Sequence, residues 1–472
     1  MLGSLTDLAR ICTQFSPSAA LVSLPTGSPD RSDVNAALAE AGTRIIELPA
    51  LSDLLAPLRS GVETQPATAS PIAPIGSIGQ QPLDLADLVG RPARLIDDRR
   101  LAALLTNQRV LITGAGGSIG SELARLCARF DPSQLILMER SENALFEIDR
   151  VLREHHPTLA RAAVLHDVTE EGRTLDLLME HRPDVVFHAA AHKHVPLMED
   201  HPSHAVINNV FGTRSIADAS VACGAKRFVM ISSDKAVNPT SVMGATKRLA
   251  EMYVQSLNRD PRVRTRLSMV RFGNVLGSAC SVLPIWAAQL ADNRPMSVTD
   301  PRMTRYFMTI PEAASLVAQS ATIGLVPKDA DAEAPADVFV LDMGEPVRIL
   351  DLADRFARAH GLDPVVRHAS EPTVAAPGIA EIVITGARPG EKLFEELAYA
   401  SEQLRETPLS GVLAWLGIDP PADMHAVLGE LAEVSAGADR DAVIDAIRQH
   451  VPEMRPAVSS PAPAEAAATR AA

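Results

Sequence analysis

From Arg109 to Phe272 the sequence repeats one unit, a short apolar run followed by a stretch at helical spacing. The runs are RVLIT, QLILM, AAVLH, DVVFHAA, RFVMIS and RLSMVRF. Strands buried on both faces read as continuous apolar runs, and strands joined through helices run parallel. The pattern therefore predicts an α/β fold built on a parallel, doubly wound sheet. Such sheets bind ligands in the crevice outside the carboxyl ends of their strands, so reactive side chains are expected there.

The flanks read differently. Residues 1–58 hold a partial Rossmann-like α/β unit: strands at Ala19–Leu24 and Thr43–Leu48 flank a helix at Arg31–Ala41. One such unit cannot bury both faces of a sheet. Residues 59–100 form a linker and bridge, rich in Pro, Ser, Thr, Gly and Gln at 60–82. Residues 101–400 form the main domain, irregular after Gly277 and with a Pro/Ala/Asp-rich loop at 327–337. A helical segment is expected at 401–451 and a disordered tail at 452–472. The net charge of −14 and the 3% aromatic content argue against nucleic acid as a partner. The four cysteines, Cys12, Cys127, Cys223 and Cys280, lack paired spacing, which argues against a metal site and fits a reducing cytosol. No apolar run approaches the ~18 residues of a membrane span, so a cytoplasmic protein with no direct membrane span is expected.

RVLITGAGGSIGSELARL is strand, glycine turn, helix. Gly114 suits the tight turn, Gly117 the approach of backbone N–H groups to a diphosphate, and Gly120 close packing of helix on strand. Ser118 and Ile119 lie in the same turn. The next strand ends at Glu139, whose carboxylate suits the ribose hydroxyls of NAD. Arg140 could instead meet the 2′-phosphate of NADP, and Ser141 follows, so the choice between NAD and NADP stays open. Asp167 and Val168, after the third strand, fit the adenine. Ala189, Ala190 and Ala191, after the fourth, let a dinucleotide lie against the sheet.

After the fifth strand comes SSDKAVNPTSVMGATKR, residues 232–248. Met243 and Lys247 are four apart and share a helix face. Short-chain dehydrogenase-like enzymes carry Tyr and Lys at that spacing, and the tyrosine handles the substrate's proton. A thioether cannot. Tyr253 lies on the same helix, ten residues and roughly 15 Å past Met243, and Tyr306 and Tyr399 fall in the distant irregular part. No tyrosine of this chain is expected to substitute.

TGAGGSIGSE, HAAAHKHVPLMED, NNVFGT, SSDKAVNP with MGATKR, VRFGNVLGS, MTRYFMTIPEA and GARPGEKLFEEL occur in order. Together they resemble the nucleotide-sugar 4,6-dehydratases of polysaccharide biosynthesis, in the extended short-chain dehydrogenase/reductase superfamily, over about residues 83–400. Within that family the chain resembles the long branch, whose members carry Met in place of the tyrosine. Those members also carry membrane helices and a complete Rossmann-like domain ahead of the catalytic one, and residues 17–56 look like the last part of that domain. The resemblance implies a Rossmann-type sheet with a smaller C-terminal substrate-binding lobe, mainly from 278–400.

It also implies a tightly bound NAD or NADP and a UDP-sugar substrate, typically UDP-N-acetylglucosamine. C4 is transiently oxidised, water is eliminated across C5–C6, and the 4-keto-6-deoxy sugar results. Asp234 and Lys235 would be the acid and base of the elimination, Ser233 would bond the C4 oxygen, and Lys247 would hold the nicotinamide ribose. On the substrate side, Arg305 and Arg388 are the candidates for the diphosphate, Lys193 and His194 for the sugar, and Asn274 for either. Tyr306 and Phe307 could stack on uracil. The family usually reads GSRGSV after GNVL, where this chain has Ala279 and Cys280 in place of Arg and Gly. A homo-oligomer is expected. An epimerase on the same scaffold would not need the Asp234–Lys235 pair, and a non-catalytic sugar-nucleotide binder would need neither residue.

Overall fold

The computed structural model describes residues 96–324, 337–398 and 403–455, except Ala375, Ile418 and Ala438; before these it describes the segments 19–22 and 44–47 and the single residues Val34, Leu38, Leu88 and Arg94. The chain divides into two units, Met1–Ala73 and Pro74–Ala472. In the first, Ala19–Val22 pairs in parallel with Arg44–Glu47. Val34 and Leu38, one helical turn apart, are both buried. Cys12, Tyr399 and the stretch from 456 onward lie outside the described residues.

The second unit is built on a nine-stranded sheet. Its strands are β1 (Arg109–Thr113), β2 (Gln134–Glu139), β3 (Arg161–Leu165), β4 (Val185–His188), β5 (Arg227–Ile231), β6 (Arg266–Arg271), β7 (Val338–Leu341), β8 (Gln403–Glu406) and β9 (Val412–Leu416), in the order β3-β2-β1-β4-β5-β6-β7-β9-β8. β1 to β7 pair in parallel. The strand order reverses at β1, which places the ligand crevice beyond its carboxyl end.

Alternate side chains of each strand enter two cores. Leu111, Ile136, Val186, Met230 and Met269 face one core. That face is covered by α3 (Glu171–His181), α4 (Gly212–Ala222) and α5 (Val242–Asn258). Val110, Ile112, Leu137, Phe187 and Val229 face the other, under α1 (Ser118–Ala128), α2 (Glu142–His155) and α6 (Ile310–Ser320). This double burial is why the strands read as unbroken apolar runs.

Two expectations for the C-terminal part need correction. Residues 401–451 are not helical throughout: β8 and β9 form a hairpin that pairs antiparallel onto β7, and helices α7 (Met424–Ala436) and α8 (Arg440–His450) follow. VLAWL is a short apolar run, which periodicity alone cannot assign to helix or strand. Here Val412 and Ala414 enter one core and Trp415 the other, while the exposed edge of β7 supplies the partner. The tail does not begin at 452 either. Met454 packs against the core, and the N–H of Arg455 donates to the carbonyl of Pro239 at 2.9 Å.

The lobe expected from 278–400 is interrupted, because α6 and β7 return to the main sheet. The remainder forms a third core around Trp286, Met296, Phe307, Leu352, Phe356 and Ile382. It contains a parallel sheet of Met296–Val298, Ile379–Ile384 and Asp363–His368.

Candidate active site

The glycine turn closes β1 onto α1. Gly114 has φ +63°, and a Cβ there would lie 2.8 Å from the backbone nitrogen of Ala190. A Cβ on Gly120 would lie 2.0 Å from the carbonyl oxygen of Gly114. Any larger residue would push helix and strand apart. Gly117 caps α1 without a side chain, so the first N–H groups of the helix stay available to an anion. Glu139 Oε2 accepts from the N–H of Gly116 at 3.2 Å, and its Oε1 accepts from the N–H groups of Arg140 and Ser141 at 3.0 Å each. Ser141 then caps α2.

A side cavity of about 170 Å³ is lined by Gly114, Gly117, Glu139, Arg140, Asp167 and Val168, with Ala189, Ala190 and Ala191 along its wall. Arg140 is drawn across it. It donates to Asn208 Oδ1 at 3.2 Å, bonds His192 Nε2 at 2.6 Å and stands 3.6 Å from Asp167. Burial opposes charge on Asp167, but the two Thr169 hydrogen bonds and Arg140 prevail and hold its carboxyl below the ordinary range. Of the residues expected at the dinucleotide, Ser118, Ile119, Gly120 and Lys247 line the adjoining cleft instead, and Ser141 lines neither cavity.

The side cavity adjoins a cleft of about 960 Å³ lined by Ser118, Ile119, Lys193, His194, Ser233 and Lys235. Met243, Lys247, Asn274, Cys280, Arg305 and Arg388 line it as well. Lys247 is buried, and its ammonium has no hydrogen-bond or ion-pair partner among the described residues. Burial, only partly offset by Glu251, pushes its pKa down to about 8.

Asp234 and Lys235 form a single 3₁₀ turn after β5. Asp234 is completely buried. Its Oδ1 accepts from Ser233 Oγ at 3.0 Å and from Lys235 Nζ at 3.0 Å, while Oδ2 has no partner. Only Ser233 and Lys235 of this group reach the cleft wall; Asp234 lies behind them. Ser233 also caps the turn by accepting from the N–H of Lys235 at 3.3 Å. Burial disfavours the Lys235 ammonium, but Asp234 and Glu395 outweigh it and raise its pKa above the ordinary lysine value. Ser232 is anchored to Glu251 at 2.6 Å, and Glu251 in turn holds Arg271 at 2.8 and 2.7 Å in the core, which fixes the end of β5.

The substrate-side candidates divide. Arg388 is 59% exposed on its side chain and pairs with Glu391 at the cleft. Lys193 donates to the carbonyl of Ala279 at 2.9 Å, and burial lowers its pKa. His194 lines the cleft beside it, and burial, then Lys193, lowers its pKa. Arg305 lines the cleft, but the residue is only 7% exposed and its guanidinium is already engaged. It donates to the carbonyls of Thr304 at 2.7 Å, Lys392 at 2.8 Å and Leu393 at 3.3 Å, and stands 3.8 Å from Glu395. These bonds fasten the loop at 392–393. The side-chain oxygen of Asn274 is likewise taken, by Lys235 Nζ at 3.3 Å.

Tyr306 is not distant, which is a correction. Its carbonyl accepts from the N–H of Asn274 at 2.9 Å, beside the 234–236 turn. It sits between two short strands and packs against the core under α6, while Arg305 and Phe307 line the cleft. Tyr253 is buried and bonded to Asp218. Met243 lines the cleft alone at the tyrosine position.

The sequence reading assigned no role to several residues that the site uses. Asn209 is fully buried, and its amide joins the carbonyl of His192 to Thr246, beside Lys247. The GARPGEKLFEEL loop is bolted onto the segment that follows the 234–236 turn: Lys392 Nζ donates to the carbonyl of Val237 at 2.7 Å, Asn238 to Glu396 at 2.8 Å, and Thr240 to the carbonyl of Gly390 at 3.1 Å. Glu395 stands 3.5 Å from Lys235. NNVFGT and GARPGEKLFEEL were the available signals, but neither motif says which residue it touches.

A doubly wound sheet with a glycine turn at its reversal point, and with the Ser233–Lys235 turn and Lys247 on one cleft, is the architecture of the extended short-chain dehydrogenase/reductase superfamily. Residues 110–415 match the family described as polysaccharide biosynthesis protein, and the chain belongs to it. It is 39% identical over 402 residues to the capsular polysaccharide biosynthesis protein CapD of Staphylococcus aureus, covering 85% of this chain and 61% of that one. It is 32% identical over 217 residues to a UDP-N-acetylglucosamine 4,6-dehydratase (inverting) of Campylobacter jejuni, covering 45% of this chain and 63% of that one. The chain thus spans less than two thirds of the length of either relative. The solved structure of Pen from Bacillus thuringiensis is similar with a TM-score of 0.55 and 27% identity, over 70% of this chain and 98% of that one. Among the described residues, no helix is long and apolar enough to cross a membrane, and no cluster of three potential metal ligands occurs.

Proposed function

We propose that the protein is a UDP-sugar 4,6-dehydratase acting on UDP-N-acetylglucosamine for surface polysaccharide synthesis. The observation that carries this reading is the Asp234–Lys235 pair, in 3.0 Å contact at the end of β5 and reaching the cleft that Lys247 also lines. A simple C4 epimerisation has no use for such a pair.

The dinucleotide fits the chain. Gly114, Gly117 and Gly120 would leave room for its diphosphate, and Glu139 would meet the ribose hydroxyls, which favours NAD over NADP. Lys247, whose ammonium has no hydrogen-bond partner among the described residues, would hold the nicotinamide ribose. When bound, the dinucleotide supplies a reversible two-electron oxidation, from C4 and back at C6. The remaining proton traffic belongs to the protein. Protons leave the C4 hydroxyl and C5; one departs with the C6 oxygen as water and one returns to C5. Ser233 and Lys235 meet the sugar, and Asp234 exchanges protons with both through Oδ1. Met243 fills the tyrosine position without titrating, so the C4 proton leaves through Ser233. Arg388 releases Glu391 to hold the diphosphate.

The test is incubation with UDP-N-acetylglucosamine and mass spectrometry of the nucleotide product. Loss of one water with a new carbonyl is expected. An isomer of unchanged mass would establish an epimerase, and unchanged substrate with cofactor bound would establish a binding protein.

A further inference from the structure

The loop after Arg388 carries a carboxylate that the reaction scheme has not yet used. Glu395 is buried, with only 3% of its side chain exposed. Its Oε1 stands 3.5 Å from Lys235 Nζ and 3.8 Å from Arg305 Nε; its Oε2 stands 3.9 Å from Lys392 Nζ and accepts no hydrogen bond. Three cations surround it, but two are otherwise occupied. Arg305 is spent on the carbonyls of Thr304, Lys392 and Leu393, and Lys392 on that of Val237. Lys235 donates to Asp234 and to the side-chain oxygen of Asn274, and among the described residues its ion pairs are with Asp234 and Glu395.

Between Glu395 and Lys235 lies a second cavity, of about 130 Å³, lined by Lys235, Asn274, Arg305, Glu391, Lys392 and Glu395. At ~30 Å³ per molecule it has room for a few waters, and its walls are polar enough to hold them. Separations of 3.5–3.9 Å are those of loose direct ion pairs, too long for a strong hydrogen bond and too short to hold a water between the two groups.

We propose that Glu395 is a positioning residue for proton transfer: acting as the second carboxylate on Lys235, beside this polar cavity, it fixes where the ammonium sits and how tightly it holds its proton. The inference rests on the dehydratase reading for the role of Lys235. Asp234 bonds Lys235 directly at 3.0 Å and can exchange its proton; Glu395, at 3.5 Å and outside strong hydrogen-bond range, raises the proton affinity of the ammonium through its charge. The charged groups facing Lys235 are Asp234 from its own turn, Arg305 from the strand at 304–305, and Glu391, Lys392 and Glu395 from the loop. Arg305 acts against the carboxylates, so loss of Glu395 leaves Asp234 alone to oppose both burial and Arg305.

The experiment is NMR titration of lysine side chains in the full chain with its cofactor, the Lys235 resonance being assigned by its absence in Lys235→Arg. In Glu395→Gln, Lys235 is expected to lose its proton at least about one pH unit lower than in wild type, a tenfold loss of proton affinity. The limb of the kcat–pH profile that Lys235 governs should move with it, while KM for the UDP-sugar stays within about twofold, since Glu395 does not line the main cleft. Glu395→Asp, which keeps the charge, should restore part of the shift. Identical titration of Lys235 in wild type and Glu395→Gln would overturn the proposal. If Glu395→Gln does not fold, the same comparison is made with Glu395→Asp, and an unshifted Lys235 there overturns it. Failure of both variants to fold would make Glu395 a scaffold ion and overturn it too. The titration needs no substrate, so wild-type protein that makes no keto-sugar would sink the dehydratase reading and leave this result standing.

Discussion

Arg305 and Arg388 look alike in sequence, each an arginine in a motif of the irregular part, yet the structure gives them opposite consequences. Arg305→Ala removes a guanidinium that satisfies three backbone carbonyls and faces the buried Glu395. Glu395 keeps Lys235 and Lys392, but three carbonyls lose their donor, at about 1–3 kcal/mol for each one left unsatisfied. At about 2–4 °C per kcal/mol for a large domain, the melting temperature should fall by roughly 6 °C or more. Arg388→Ala removes a side chain that is 59% exposed and paired only with Glu391. Surface pairs of this kind contribute about 0–1 kcal/mol, so the melting temperature should barely move. Its loss should appear in binding instead: a charged hydrogen bond to the diphosphate contributes about 1.5–3 kcal/mol, hence roughly tenfold or more in KM. Differential scanning fluorimetry and steady-state kinetics on both variants make the comparison. An Arg305→Ala protein that melts like wild type but needs more UDP-sugar would refute the assignment of Arg305 to the loop. An Arg388→Ala protein with unchanged KM would remove Arg388 from the site.

Other outcomes follow from the same geometry. Lys235→Ala and Asp234→Asn should each lose about 10²-fold or more in keto-sugar formation, whereas Met243→Ala should retain measurable turnover although its cavity costs about 2–5 kcal/mol of stability; activity that appears only in Met243→Tyr would mean that the tyrosine is required. Gly120→Ala places a Cβ 2.0 Å from the Gly114 carbonyl and should yield protein without dinucleotide; cofactor retained through purification would contradict the packing. Burial lowers the pKa of Lys247 to about 8 from the ordinary lysine value of 10.5, so the unfolded chain binds the extra proton between those values. The burden of Lys247 on folding is therefore present below pH 8 and fades as pH rises toward 10.5. Dinucleotide affinity should run the other way, falling as pH rises through about 8 and the ammonium is lost, while Lys247→Arg stays flat; equal pH dependence in the two proteins would show that another group is titrating.

The sequence by itself determined the parallel sheet, the glycine turn and the pairing of Met243 with Lys247. Each is a local or periodic property: apolar runs buried on both faces, a turn that only glycine can make, and two residues on one helical turn. It also placed Ser233, Asp234 and Lys235 at the crevice, because residues after a central parallel strand must emerge there. Tertiary structure decided what those residues touch. Arg305 meets Lys392 and Leu393 across 87 and 88 residues of chain, and Asn238 meets Glu396 across 158. Only the folded backbone brings such carbonyls and carboxylates within reach, and no spacing rule encodes them. The same holds for Asp234 lying behind Ser233, for the Tyr306 backbone standing beside Asn274, and for VLAWL forming a strand. Where a side chain points at the end of a strand, and whether a short apolar run is helix or strand, depends on a partner elsewhere in the chain. Burial of Lys235 between Asp234 and Glu395 is of this kind, since its proton affinity is set by charges that become neighbours only on folding.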